Sequence, residues 1–206
     1  SKFADEEADI MIGTQMIVKG HDFPNVTLVG VLAADMSLYS DDYRSGERTF
    51  QLLTQAAGRA GRGELPGEVV IQTYQPEHYS IVHAANQDYE GFYEEEILYR
   101  DLMMYPPVAH LMAVMLTDRS EKSGKESVEI LVTLVKTAFS GHNMILVGPS
   151  EATIGKVNDL YRFVFYIKSR QIETLAQIRE KIEAWQEENP SPGRSLQFDL
   201  DPMHVY

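Results

Sequence analysis

The sequence has 206 residues, 44% of them hydrophobic, and a chain of this length can bury one large core or two small ones. Its 31 acidic and 18 basic residues give a net charge of −13, so a phosphate backbone is repelled at long range and any nucleic-acid contact must be local. The absence of cysteine excludes disulfides and thiolate metal sites within the chain, and the six histidines are not spaced as metal ligands. With no secretory leader and no apolar run of about eighteen residues, we expect a cytoplasmic protein that does not bind membranes.

The first half of the chain alternates strand-like and helix-like patterns. Ser1–Asp9 has the composition of a helix end and leads directly into a predicted strand at Ile10–Ile12, so we expect the chain to begin inside a domain. Two apolar runs, Thr27–Ala33 and Glu68–Thr73, predict buried strands. Between them, Ser45–Gly58 predicts a helix with Ser45 as a candidate N-cap. Strands that alternate with helices predict a parallel sheet and an α/β fold.

The second half has a different organisation. Tyr89–Met104 is an acidic, aromatic, helical stretch that ends at Pro106-Pro107, a strong helix breaker. We therefore predict three parts: a partial α/β lobe at 1–87, an acidic connecting helix at 88–107, and a small α+β domain at 108–206. The last part has the β-α-β-β-α-β order of small ferredoxin-like or ribosomal-protein-like domains. Its predicted strands are His110–Thr117, Ile145–Pro149, Tyr161–Ile167 and Leu196–Leu200, and its predicted helices are Glu121–Ser140 and Arg170–Glu187.

The strongest chemical motif is the segment Gln55–Arg62, which reads QAAGRAGR. The spacing of Gln55, Arg59 and Arg62 allows all three to share one helical face, and the small residues between them leave room for another surface. Guanidinium groups match phosphate oxygens, and a positive charge near the transition state accelerates phosphoryl transfer. The alternative is that both arginines remain solvated at a helix C-terminus, where they offset its dipole.

A second motif lies upstream, where residues 12–24 read IGTQMIVKGHDFP. In order and separation, this segment and Gln55–Arg62 resemble motifs V and VI of superfamily two helicases. Further along, Ala34-Asp35, Tyr105-Pro106-Pro107 and the ending Asp199-Leu200-Asp201-Pro202 resemble the primosomal replication-restart helicases, the primosomal protein N-prime family. The resemblance spans nearly the whole chain.

The resemblance implies a RecA-like lobe that supplies one half of an ATP site. By matching positions it makes Arg62 the transition-state finger, Arg59 a γ-phosphate contact, and Gln55 a residue that orients nearby groups. Asp22, with Gly20, is placed beside the nucleotide, and the alternative for Asp22 is a turn-forming role before a proline. No phosphate-binding Gly-x-x-x-x-Gly-Lys-Ser/Thr loop and no acidic Mg²⁺ motif occur in the chain, so we expect ATP and Mg²⁺ to be used only by a longer protein. In this family zinc is expected upstream, and no metal site is expected in this chain.

The resemblance also implies contacts to DNA and to proteins. Single-stranded DNA contacts match Thr14, Gln15 and Lys19, where neutral groups suit an acidic protein, although Thr14 and Gln15 have strand-end capping as the alternative. The C-terminal domain carries Lys156, Tyr161 and Arg162 as candidate DNA contacts. Lys168 and Arg170 are candidates for binding a partner such as the acidic tail of single-stranded DNA-binding protein. Ordinary surface charge is the alternative for these basic residues.

Together these features predict the C-terminal part of an ATP-dependent 3′-to-5′ DNA helicase that restarts stalled forks with other primosome proteins, and that is inactive alone. One alternative is a module that binds forked DNA or proteins without activity of its own. Another is a different superfamily two translocase, such as a branch-migration helicase. For the aromatic residues Tyr89, Phe92, Tyr93 and Tyr99, a helix packing face is favoured over a base-stacking platform.

Overall fold

In the computed structural model, residues 3, 7–14, 23, 25–40, 42–61 and 66–203 are described. The chain divides into two compact units, Ser1–Glu96 (unit 1) and Ile97–Tyr206 (unit 2). The predicted boundaries at residues 87 and 107 remain predictions. Within the described part of the chain, no helix is both long and apolar enough to cross a bilayer.

Unit 1 is built around two parallel strands, β1 (Leu28–Val31) and β2 (Glu68–Ile71), paired in the register Leu28↔Glu68 to Val31↔Ile71. A short 3-10 helix (Ala34–Ser37) and helix α1 (Ser45–Ala57) lie between them in sequence. Helix α2 (Tyr79–Asn86) follows, and helix α3 (Tyr89–Met103) runs across the boundary between the units. The α/β pattern predicted for this region is thus confirmed, and the RecA-like lobe remains a prediction.

The core of unit 1 is small and lies on one face of the strand pair. Phe50 of α1 stacks on Phe92 of α3, with ring centroids 4.2 Å apart. These rings form one buried cluster with Leu53 and Ile81, together with two alanines. Burial of side chains of this size stabilises a fold by about 1.5–3 kcal/mol each. The cluster therefore fixes α1 and α2 against the first turns of α3.

The opposite face of the same strands is exposed. Leu28 is 60% exposed and Val70 is 50% exposed. The predicted strand at Ile10–Ile12 is wrong, because these residues have no regular secondary structure and no strand partner among the described residues, and Ile12 is 92% exposed. A strand needs a neighbour for its backbone groups, and an apolar pattern alone does not supply one.

Unit 2 has the predicted β-α-β-β-α-β order, which is confirmed. Its elements are β3 (His110–Asp118), α4 (Glu121–Ala138), β4 (Met144–Val157), β5 (Leu160–Ser169), α5 (Ile172–Glu188) and β6 (Ser195–Leu200). The strands form one antiparallel sheet in the order β4-β5-β3-β6, so β5 lies between β3 and β4. This is the split arrangement of ferredoxin-like domains.

Alternation along the strands of unit 2 places the core on one side of the sheet. Val114 of β3 and Phe165 of β5 are directly paired and fully buried on that side. Helix α4 contributes Leu131 and α5 contributes Ile178, both also fully buried. Both helices therefore cover the same face of the sheet.

Two predicted boundaries are corrected by the structure. Strand β4 is much longer than the predicted Ile145–Pro149, because two register shifts let it continue past Gly148-Pro149 as an edge strand. Ser45 is not the N-cap of α1: the cap is Arg44, whose side chain makes no capping hydrogen bond, and Ser45 is the first helical residue.

Candidate functional site

The predicted phosphate-binding motif lies at the end of α1. Gln55 is exposed in the last turn of this helix. The helix ends at Ala57 with Gly58 as its C-cap, so Arg59 lies in the turn that follows and is half-buried. The expectation of one helical face shared by Gln55, Arg59 and Arg62 is therefore wrong for Arg59, because the helix has already ended there. Arg62 lies outside the described residues.

The turn that carries Arg59 is tightly organised. Arg59 N donates to Ala56 O at 3.0 Å, and Gly61 N donates to Val26 O at 3.0 Å. Gly61 has φ +70, a conformation that favours glycine. Gly67, just before β2, packs directly against the backbone of Gly61. The turn that carries Arg59 is therefore fixed to the beginnings of both strands.

The upstream motif is described only at its beginning. Thr14 is exposed and lies in a segment without regular secondary structure. Gln15, Lys19, Gly20 and Asp22 lie outside the described residues. Their predicted contacts to DNA and nucleotide remain predictions.

The carboxyl ends of β1 and β2 are joined by a buried carboxylate that the sequence did not single out for this role. Asp35 is almost fully buried and accepts a hydrogen bond from Tyr74 N at 3.0 Å. A hydrogen bond from Thr73 is the main reason that the pKa of Asp35 is below its ordinary value. Asp35 thus links the segments that follow β1 and β2, which gives a structural reason for an aspartate at this position.

A second buried carboxylate, Asp42, precedes α1. Its oxygens accept hydrogen bonds from Arg44 Nε at 3.1 Å and Arg44 N at 3.0 Å, and Arg48 Nη1 lies 2.9 Å away. Burial opposes ionisation of Asp42, but the hydrogen bonds and charges of the two arginines hold its pKa below the ordinary value. The segment Arg44–Arg48 therefore has a structural role in fixing the loop before α1.

The predicted DNA-contact residues of unit 2 lie on two faces of the sheet. Tyr161 packs against the helix-covered core, and the Lys156 ammonium lies 4.8 Å from its ring centroid. A hydrogen bond with Asp159 raises the pKa of Lys156. Arg162 is next in the strand and lies on the other face, with Nε and Nη2 both 3.3 Å from Met115 Sδ. The three residues therefore do not form one surface patch.

Lys168 and Arg170 both contact the end of α3 within unit 2. Lys168 is only 6% exposed; its Nζ donates to Met103 O at 2.9 Å and lies 3.4 Å from the Tyr105 ring centroid. Burial lowers the pKa of Lys168. Arg170 remains half-exposed and forms an ion pair of 2.7 Å with Asp101. Internal partners thus engage both cations, and their binding of an external partner remains a prediction.

Sequence reasoning missed a histidine held by two carboxylates. His83 Nδ1 lies 2.9 Å from Asp88 Oδ2, and His83 Nε2 lies 3.0 Å from Glu95 Oε1. The hydrogen bond with Glu95 is the main reason that the pKa of His83 is raised. Among the described residues, no group of three or more His, Asp or Glu side chains is arranged to hold a metal ion.

The aromatic residues of α3 divide into two groups. The predicted packing role is confirmed for Phe92, which belongs to the core of unit 1. Tyr89, Tyr93 and Tyr99 are exposed on the same helix. A periodic pattern did not distinguish these positions, because aromatic residues occur on both sides of the helix.

The family comparison matches unit 2. The profile described as "Primosomal protein N C-terminal domain" covers residues 101–203, half of the chain. The chain therefore belongs to the primosomal protein N family and contains its C-terminal domain.

Curated relatives extend the match over nearly the entire chain. The chain is 43% identical over 203 residues to a replication restart protein PriA of Bacillus subtilis (strain 168). The aligned region covers 98% of this chain and 25% of that protein. It is 43% identical over 207 residues to the protein of that name from Chlamydia trachomatis, with 100% of this chain and 27% of that protein covered. A Synechocystis replication restart protein PriA is 37% identical over 204 residues, with 99% and 24% covered. The chain spans about a quarter of the length of these relatives.

Proposed function

We propose that this chain is the C-terminal portion of an ATP-dependent 3′-to-5′ DNA helicase that restarts stalled replication forks and assembles the primosome in the bacterial cytoplasm. The observation that carries the proposal is the match of nearly the whole chain, at 43% identity, to proteins named replication restart protein PriA. Because that match extends through unit 1, it includes the segment Gln55–Arg62 as well as the C-terminal domain.

Unit 1 is proposed to be part of a RecA-like helicase lobe. Parallel sheets are normally covered on both faces and extended by further strands. The parallel pair β1–β2, with α1 between the strands in sequence and an exposed face bearing Leu28 and Val70, is consistent with one section of such a sheet. Further strands and helices of the same protein would complete the lobe.

The proposed chemistry of unit 1 is stabilisation of charge during ATP hydrolysis. Arg59 lies on a turn rich in glycine and alanine, where the backbone allows a phosphate to approach closely. Arg59 is proposed to contact the γ-phosphate, Arg62 to neutralise charge in the transition state, and Gln55 to orient nearby groups. Mg²⁺ and the remaining phosphate contacts would come from segments outside this chain. The chain alone is therefore expected to hydrolyse no ATP.

The upstream motif is proposed to connect nucleotide and DNA. Thr14, Gln15 and Lys19 would contact the backbone of single-stranded DNA, while Asp22 and Gly20 would lie beside the nucleotide. Phosphate contacts from a hydroxyl, an amide and one ammonium suit a chain whose net charge is −13.

The test is DNA-stimulated ATP hydrolysis by the full-length protein. Arg62→Ala and Arg59→Ala should each reduce turnover by at least about a hundredfold, because a positioned arginine contributes this much or more to phosphoryl transfer. A matched control is Arg179→Ala, which removes an exposed arginine of unit 2 paired with Glu183. Normal turnover in Arg62→Ala would exclude the finger role.

A second candidate function, binding of forked DNA or of partner proteins, is favoured by the four-stranded sheet and large core of unit 2. Lys156 and Tyr161 would contact DNA on one face of the sheet, and Arg162 would contact it on the other. Arg170, with Lys168 behind it, would contact the acidic tail of single-stranded DNA-binding protein. Other primosome proteins are further proposed partners.

Fluorescence anisotropy on the isolated chain tests this second candidate. Labelled forked DNA should bind more weakly to Arg162→Ala, and a labelled acidic peptide should bind more weakly to Arg170→Ala. Arg179→Ala serves again as the control for loss of an exposed positive charge. If neither probe binds the unmodified chain, the binding-module hypothesis is wrong.

A further inference from the structure

Two glycines six residues apart, Gly61 and Gly67, hold the turn of the phosphate-binding motif. A Cβ atom on Gly61 would lie 2.8 Å from Gly67 N. A Cβ atom on Gly67 would overlap Gly61 N and the carbonyl carbon of Ala60. Real side chains do not make backbone contacts this short, so the two segments are adjacent only because both positions are glycine.

The same contact connects the turn to the beginnings of both strands. Gly61 N donates to Val26 O at 3.0 Å, and Glu68 N donates to the next carbonyl, Thr27 O, at 2.8 Å. Gly67 immediately precedes Glu68. The end of the motif and the start of β2 are therefore hydrogen-bonded to two consecutive residues, Val26 and Thr27, just before β1.

Arg59 lies between two fixed points of the backbone. On its N-terminal side, Gly58 N donates to Thr54 O at 3.0 Å and Arg59 N donates to Ala56 O at 3.0 Å. On its C-terminal side, Gly61 is fixed by Val26 and Gly67. The direction in which the guanidinium leaves the backbone is set by both anchors.

We propose that Gly67 is a positioning residue for ATP hydrolysis, which acts through the Gly61 turn on Arg59 without touching the nucleotide. The inference rests on the proposed function. A group that stabilises a transition state must be held to within tenths of an ångström, and a displacement of about 1 Å can cost about a hundredfold in rate. Any side chain at position 67 must push the Ala60–Gly61 backbone away and displace the turn.

The experiment uses the full-length protein with the variant Gly67→Ala. The expected result is a loss of about tenfold to a hundredfold in kcat for DNA-stimulated ATP hydrolysis, with the KM for ATP and the Kd for single-stranded DNA changed less than about threefold. The control is Gly141→Ala, because no atom lies within 4 Å of a Cβ at Gly141. It should keep the kcat of the unmodified protein.

A double-mutant cycle separates positioning from loss of stability. If Gly67 acts through Arg59, the factor in kcat that Gly67→Ala removes should be smaller in the Arg59→Ala background than in the unmodified protein. Losses that multiply, or an unchanged kcat in Gly67→Ala, would overturn the inference. Normal turnover in Arg59→Ala would instead show that the proposed role of Arg59 fails, and the inference would fail with it.

Amide hydrogen exchange on the 206-residue chain supplies a readout independent of activity. The Gly61 amide should be protected in the unmodified chain and should lose protection in Gly67→Ala, while the amides of β3 and β5 keep theirs. Retained protection of Gly61 in Gly67→Ala would contradict the proposed contact.

If Gly67→Ala does not fold, Gly61→Asn is the milder variant. Asparagine tolerates positive φ, and its Cβ atom would lie 2.8 Å from Gly67 N. This variant should show a smaller loss of kcat in the same assays, and a kcat equal to that of the unmodified protein would overturn the inference.

Discussion

The described part of unit 2 has a four-stranded sheet with a large core, whereas the described part of unit 1 has a two-stranded sheet with a small one. The sheet of unit 2 has four antiparallel strands and fourteen buried apolar residues in one cluster. The described part of unit 1 has two parallel strands and a cluster of six buried residues. Apolar burial is the main source of stability, so the difference indicates that unit 2 is stabilised by its own core. The motif-bearing unit 1 is expected to depend on other segments.

The largest expected effect tests the core of unit 2. Leu131→Ala should lower the free energy of unfolding by about 2–5 kcal/mol, because Leu131 is fully buried between helix α4 and the sheet. Urea unfolding followed by tryptophan fluorescence measures this, since Trp185 is the only tryptophan in the sequence and packs on that core. Ile130→Ala, at a half-exposed neighbouring position, is the matched control and should cost less than about 1 kcal/mol.

The same fluorescence signal tests whether the two units unfold independently. Phe50→Ala removes a ring from the core of unit 1 and should leave the Trp185 transition where it is. An equal shift of that transition in Phe50→Ala would show that the two units unfold together. Equal costs for Leu131→Ala and Ile130→Ala would contradict the importance of the unit 2 core.

An intermediate effect is expected at Lys168. Lys168→Ala leaves the carbonyl of Met103 without its lysine donor and removes the cation above the Tyr105 ring, which should cost about 2 kcal/mol. Lys181→Ala, on the exposed side of α5, should be nearly neutral when measured in the same urea titration. If Lys168→Ala leaves the free energy of unfolding unchanged, the internal contacts of Lys168 contribute no stability. That result would favour a role of Lys168 in binding an external partner.

The smallest expected effect is a pH dependence in unit 1. His83 has a raised pKa, so its two carboxylate contacts stabilise the fold fully below the ordinary imidazole value of 6.5. This contribution is lost as the pH rises through the higher pKa of the folded state. His83→Gln should therefore remove a stabilisation of less than about 1 kcal/mol at about pH 6 and change little at about pH 9.

His78 provides a contrast of opposite sign. Burial lowers its pKa, so stability should fall as the pH drops below 6.5 and His78 becomes protonated in the unfolded chain. Thermal unfolding of His83→Gln and His78→Gln at pH values below and above 6.5 separates the pH ranges in which the two histidines affect stability. His142→Gln, in an exposed loop of unit 2, is the control. A pH profile of His83→Gln identical to that of the unmodified chain would show that the two contacts contribute nothing.

The sequence predicted the elements of unit 2 well because its helices have clear apolar periodicity. The pattern around Leu131 and Ile178 places one face of each helix toward the sheet, and both helices occur near their predicted positions. It failed at β4, where Gly148-Pro149 suggested the end of a strand, although edge strands accommodate such residues at bulges. Strand order could not be predicted either, because pairing depends on contacts between distant segments.

The sequence indicated which residues to consider for the candidate site but not their geometry. The motif identified Gln55 and Arg59, and spacing alone suggested a continuous helical face. Gly58 ends that face by capping the helix, an outcome that a helix-period pattern does not reveal. The approach of Gly61 to Gly67 was also hidden, because a backbone contact leaves no periodic signal in a sequence.

The open strand pair of unit 1 has a practical consequence for work on the isolated chain. Leu28 and Val70 form an exposed apolar strip on paired strands, and such surfaces promote self-association through edges and faces. The apparent molar mass from light scattering should therefore rise with protein concentration for the isolated chain. Replacing both residues with threonine would keep strand propensity and improve colloidal behaviour without touching the fourteen-residue core of unit 2.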